Sequence, residues 1–207
     1  MANRLRLHAC CSAFLLFFCI TQVLYPAFAL CAGATTSVRI VKYAADGVTV
    51  VDEKTVGYEW MEDNLEVHGD GETHYYHQGP VFEGDPWDPE ETQNLKDKGA
   101  VKGTAVRDLC DLVGGMSEED EVMFVAVDGW HTKFACANIY EPQDAQGIIA
   151  LCWFNGSDSE EGERYGSGYP ANNAYSSALQ IVFMSSQTNP EGKHVFGNPD
   201  MKVALPQ

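Results

Sequence analysis

The sequence is poor in basic side chains: 13 Lys+Arg stand against 30 Asp+Glu in 207 residues, a formal net charge of −17. So acidic a surface repels phosphate backbones, which excludes nucleic acid as a partner and disfavours anionic membrane surfaces. Several motifs of defined chemistry are missing. There is no G-x-S-x-G elbow, and no Cys or Ser has a flanking motif that names its base, so nucleophilic catalysis has little support. H-E-x-x-H and paired C-x-x-C signatures are absent, as is the regular spacing of an EF-hand. No internal repeat or low-complexity linker divides the chain, and its length suits one domain. The composition is otherwise that of a globular protein, 45% hydrophobic and 11% aromatic, which argues against disorder despite the charge.

The first part of the chain is a different kind of sequence. Arg4 and Arg6 precede an apolar run over residues 13–24, Pro26 breaks it, and Ala27-Phe28-Ala29 and Ala32-Gly33-Ala34 both fit an A-x-A cleavage site. The run is short of the roughly 20 residues needed to span a bilayer. A lipid anchor at Cys31 would need a small residue where Leu30 stands. Residues 1–34 therefore read as an export signal, and residues 35–207 as a single periplasmic, cell-surface or extracellular domain without a membrane span. Cleavage removes two basic residues and no acids, leaving 11 against 30, and 11 − 30 = −19. It also removes Cys10, Cys11, Cys19 and Cys31. Cys110, Cys136 and Cys152 remain, so at most one intrachain disulfide can form. Cys136 with Cys152 is one reading; three small buried apolar side chains is the other.

Hydrophobic periodicity predicts a β-hairpin from residues 38–43 and 48–51 across Asp46-Gly47, then a short helix over 58–65. Residues 67–97 read as irregular. Thr104 is the expected N-cap of a helix over 105–113, with Val106, Leu109, Cys110 and Val113 on one face and Gly114-Gly115 as its stop. Strands are expected over 121–127 and 132–136 around Asp128-Gly129, over 148–154 as a central strand, and over 179–184. An acidic glycine-rich loop over 155–173 and a polar but non-random tail over 189–200 complete the chain. The class is α+β, with a mostly antiparallel β core and few short helices.

The most unusual stretch is His68-Gly-Asp70-Gly-Glu-Thr-His74-Tyr-Tyr-His77, which holds three of the five histidines beyond residue 34. In a loop or a single turn, H-x-x-H spacing lets two imidazoles converge, and imidazole is the commonest ligand for Zn, Cu, Ni and Fe. His194 is the candidate third ligand. The expected metal set is therefore His68, His74, His77 and His194, the alternative being histidines bonded to loop backbone. Tyr75, Tyr76, Trp87 and Trp130 fall in expected loops, where large rings line ligand pockets or simply pack. The carboxylates of residues 83–91 have the density of a Ca²⁺ loop without its spacing and read as a solvated acidic loop, as do those of 158–163. Asn155-Gly156-Ser157 matches a glycosylation sequon.

Residues 99–115, G-A-V-K-G-T-A-V-R-D-L-C-D-L-V-G-G, followed by a strand over 122–127 and Asp128-Gly129-Trp130, resemble the oxidoreductase molybdopterin-binding domain of the sulfite-oxidase type. More widely, H-Y-Y-H-Q-G-P-V at 74–81 and F-G-N-x-D at 196–200 resemble a group of exported surface proteins that share this fold. The resemblance implies a sulfite-oxidase-type fold and, in the family's enzymes, a cysteine on molybdenum placed before the quoted helix. Here no cysteine lies between Cys31 and Cys110, and His68, His74 and His77 occupy that region. Only Arg39, Arg107 and Arg164 are present as arginines beyond residue 34, so an anionic cofactor would bind against the field. Molybdopterin is disfavoured and cations are the easier guests.

The expected function is an exported ligand-binding domain holding a metal ion or a small metal-containing cofactor through its histidines. Tyr75, Tyr76 and Trp130 would contribute to the pocket. The competing expectations are a molybdopterin-dependent oxidoreductase with an atypical metal ligand, and a surface or structural domain without pocket chemistry.

Overall fold

The computed structural model describes residues 34–78, 90, 92–156, 168–170 and 179–196. By compactness the chain divides into Met1–Cys31 and Ala32–Gln207, and all the described residues belong to the second unit. The expected export signal at 1–34 thus lies outside the described residues, save for Ala34. No described helix is long and apolar enough to cross a membrane.

The first hairpin pairs β1 (Ser37–Tyr43) with β2 (Val50–Gly57) antiparallel. Its turn is built as the D-G signal predicts. Asp46 accepts hydrogen bonds from Val48 N, Thr49 N and Thr49 Oγ1 at 2.9, 2.8 and 2.6 Å, and Gly47 takes φ +67°. Those bonds hold Val48 and Thr49 in the turn, so β2 starts later than expected and runs longer. The helix α1 (Tyr58–Asn64) follows, one residue shorter than expected, with Met61 wholly buried.

The segment read as irregular contains two strands, β3 (Val67–His68) and β4 (His74–Gln78), and the start of a third, β5 (Leu95–Ala105), which runs on to the first residue of the expected helix. β5 is the centre of the main sheet, whose order is β10-β4-β5-β8-β9, with β3 pairing β5 beside it. Its partner β8 (Ile148–Asn155) is the expected central strand, and β9 (Gln180–Met184) pairs β8 antiparallel. The tail also contributes: β10 (His194–Phe196) runs parallel to β4. Gly103 is required where β5 meets β8. A Cβ there would lie 2.6 Å from the Leu151 carbonyl oxygen and 2.7 Å from Cys152 Cα.

Thr104 is not a helix cap. It is buried in β5, where its hydroxyl accepts the Trp153 Nε1 proton at 3.2 Å. The buried indole needs a partner, and that need fixes the residue in the sheet. The helix α2 (Val106–Asp111) starts after Ala105 with no side-chain cap and is shorter than expected. Its end is as expected, with Gly114 and Gly115 at φ +88° and +68° and Gly115 N donating to Cys110 O at 3.0 Å. Next, β6 (Glu121–Val125) and β7 (His131–Ala135) form a separate antiparallel hairpin, and α3 (Cys136–Tyr140) begins where the second strand was expected to end.

The class is therefore α+β with a largely antiparallel β core. Three apolar clusters hold it together. Val56, Met61, Leu109, Leu151 and Trp153 join the first hairpin and α1 to the sheet. Val101, Ala150, Cys152, Val182 and Met184 line one sheet face, and Val106, Cys110, Phe134, Ile139 and Ile149 hold α2, α3 and β7 against β8. The three cysteines among the described residues are free, so the Cys136–Cys152 bond does not exist. Cys152 is committed to the core between β5, β8 and β9, whereas Cys136 opens α3.

Candidate metal centre

Residues 74–78 form a strand, and this decides how the histidines are arranged. Along a strand successive side chains point to opposite faces, so residues three apart cannot converge. His74 and Tyr76 share one face, their rings 6.2 Å apart, and Lys193 Nζ lies 5.1 Å from the centre of the Tyr76 ring. On that face His74 Nδ1 donates to Asp97 Oδ2 at 2.8 Å. The Asp97 carboxylate has no solvent exposure, and its Oδ1 accepts Gly99 N at 2.7 Å.

Tyr75 and His77 occupy the other face, where the parallel pairing of β10 sets His194 opposite Tyr75 and Phe196 opposite His77. The rings of each pair are 5.5 Å apart. His194 Nδ1 donates to the Ser185 carbonyl at 2.9 Å. His77 is mostly buried, and loss of hydration, then the charges of Lys98 and Lys96, push its pKa down to about 4. Tyr75 packs against the Val101–Cys152 cluster, and burial raises its hydroxyl. The structure thus brings His194 to β4 but does not gather His74, His77 and His194 round one point. Trp130 stands elsewhere, 59% exposed at the turn between β6 and β7.

His68 has different company. Glu66 stands immediately before β3, two residues from His68. The register sets Val67 opposite Thr104 and His68 opposite Gly103, near the end of β5. Two residues beyond β5 the chain is already in α2, which carries Asp108. One donor atom each from Glu66, His68 and Asp108 falls within 4.8 Å of the others, the only such group of three or more among the described residues. The Nε2 of His68 is sealed from solvent and has no hydrogen-bond partner. Asp108 Oδ1 also accepts Arg107 Nε at 3.2 Å. The loop after β3 is fixed by backbone as well: at Gly69, φ +82°, a Cβ would fall 2.2 Å from the Val101 carbonyl oxygen.

Glu66 and Asp108 were not among the expected ligands. The E-x-H spacing at 66–68 is a local signal that could have found the first, but Asp108 enters only through the β3–β5 pairing, which the sequence does not announce. Trp87, the carboxylates of 83–89 and Glu91, the 158–163 cluster, Arg164, and residues 79–81 and 197–200 of the two wider motifs lie outside the described residues; Glu90 is exposed. The sequon Asn155 is 2% exposed at the end of β8, which closes it to a glycan.

The residues do not fit a molybdopterin. Ligation needs a thiolate, and burial raises the thiols of Cys110, to about 11, and Cys152. Cys136, whose thiol is also raised, sits on α3 and not in the segment before α2. Arg39 and Arg107, the arginines among the described residues, each sit in an exposed ion pair, with Glu53 and Asp108. No family model matches the chain, and the comparisons with curated proteins and with solved structures found no match.

Proposed function

We propose that this chain is an exported domain that binds a divalent metal cation. The observation that carries the reading is the convergence of Glu66, His68 and Asp108 around an imidazole whose Nε2 is buried and unpartnered. A buried polar atom left without a partner costs about 1–3 kcal/mol. A cation bound through that nitrogen and the two carboxylates would offset that cost and relieve the repulsion between the carboxylates. The formal −19 of residues 35–207 favours cations at the surface generally. His74 and His194 lie outside this donor set and serve the sheet, one on Asp97 and the other on Ser185.

The scaffold is read, with this function, as sulfite-oxidase-like. The support is the succession of α2, β6 and the Asp128-Gly129-Trp130 turn, which matches the order that the resemblance implies. The site is read as holding a cation and not a pterin cofactor, since no cysteine lies between Cys31 and Cys110, where the family's enzymes keep theirs.

The test is the metal content of untagged protein by mass spectrometry, for the native chain and for His68→Gln. Close to one equivalent in the first and a large loss in the second is the expected result. Substoichiometric metal in the native protein, also after dialysis against Zn²⁺, overturns the reading.

A further inference from the structure

We propose that the Glu66–His68–Asp108 centre selects a transition cation of the zinc class and leaves it an exchangeable position for a small anionic oxygen ligand. This rests on the cation reading above and adds what the ion is and what it can do.

The donor set decides the class of ion. Ca²⁺ takes six to eight oxygens, and Mg²⁺ keeps an octahedron made largely of water and oxygen. An imidazole with two carboxylates is a mixed nitrogen–oxygen set, which suits Zn²⁺, Co²⁺, Ni²⁺ and Cu²⁺. The spacing is within reach of such an ion. Donors at about 2.0–2.1 Å in tetrahedral geometry lie roughly 3.3–3.5 Å apart. The three donor atoms already lie within 4.8 Å of one another, so even the widest pair need close by no more than about 1.5 Å. Glu66 is exposed and free to swing, while β3 and α2 hold His68 and Asp108 from two sides.

The number of donors decides the open position. Among the described residues three groups converge, and three protein ligands with a fourth place for water or a guest is the pattern of zinc sites that exchange ligands. The guest is an anion because a divalent ion cancels the charge of the two carboxylates, so an anionic oxygen no longer meets a negative site. A second positive group is at hand in Arg107, bonded to Asp108 and 45% exposed at its side chain. In a chain this acidic, the metal is the means by which a small carboxylate or phosphate is held at all.

Co²⁺ reports both halves, because its visible absorption follows coordination. Full-length protein is titrated with Co²⁺, then with Ca²⁺ in excess, then with sodium acetate and inorganic phosphate against a chloride control at matched ionic strength. The expected result is a saturable band that Ca²⁺ does not remove and that acetate or phosphate shifts. His68→Gln and Asp108→Asn should weaken Co²⁺ binding at least about tenfold, and His74→Ala should leave it unchanged. Circular dichroism of each variant separates a lost ligand from a lost fold. If Co²⁺ and Zn²⁺ both fail to bind, the cation reading itself falls. If Co²⁺ binds but His68→Gln and Asp108→Asn, both folded, bind it equally, this donor set is overturned while that reading stands. Displacement by Ca²⁺ overturns the zinc class, and a band unmoved by either anion overturns the open position.

Discussion

His74 donates its Nδ1 proton to Asp97 at 2.8 Å, and the carboxylate that receives it has no solvent exposure. The pair links β4 to β5 beside a register shift between His74 and Tyr76, where a backbone bond from Gly99 completes the carboxylate's second oxygen. A buried aspartate in the middle of a central strand is tolerated because both its oxygens are satisfied.

Removing one member of that arrangement should therefore cost more than removing a surface ion pair. Asp97→Ala leaves Gly99 N and His74 Nδ1 without their acceptor, and should lower the unfolding free energy by about 3 kcal/mol in urea denaturation. In a double-mutant cycle with His74→Ala the two losses should fall clearly short of additive. Additive losses would show that the pair is not coupled.

Gly103 carries two constraints at once, the closeness of β8 and the position opposite His68. Gly103→Ala should push β5 and β8 apart and cost at least about 2 kcal/mol, read as a fall in Tm. Metal affinity at His68 should fall with it, whereas Gly192→Ala, whose Cβ meets nothing within 4 Å, should leave that affinity alone.

The pH dependence of His77 has a defined sign. Its folded pKa is lowered from 6.5 to about 4, so the unfolded chain takes up the proton first as pH falls. Stability is fully present above pH 6.5, is lost progressively between about 6.5 and 4, and changes no further from this group below that. The whole loss is about 3 kcal/mol. Comparing wild type with His77→Leu over this window isolates the contribution: the difference in their unfolding free energies should change with pH in that direction. A pH-independent difference would contradict the burial of the imidazole.

The thiols give a simple count. Cys110 and Cys152 are buried and Cys136 is partly exposed, with no disulfide among them. In a chain beginning at Thr35, Ellman's reagent should find one accessible thiol in the native state, Cys136, and three in denaturant. Reduction beforehand should not raise the denatured count.

The two hairpins were legible because their turn chemistry is local: Asp46-Gly47 and Asp128-Gly129 need no distant partner to bend the chain. β8 was legible as an apolar run. β5 was not, because Leu95–Ala105 carries three lysines, an aspartate and two glycines. Its reasons for being a strand lie outside it, in His74 for Asp97, in Trp153 for Thr104 and in β8 for Gly103. The histidine spacing misled for a related reason. H-x-x-H brings imidazoles together in a turn, but β4 is held extended by β5 and β10, and extension sends the two rings apart. Glu66 and His68 were close in sequence, yet their third donor is brought in by a strand pairing that only the folded chain reveals.

β10 is among the last residues described, yet it closes one edge of the sheet against a strand near the start of the domain. Until Phe196 has left the ribosome, β4 keeps a bare edge and His77 and Tyr75 lack their neighbours on that side. The order of synthesis thus postpones the finished sheet until β10 has been made, and a chain interrupted shortly before His194 should remain a ready substrate for proteases and chaperones.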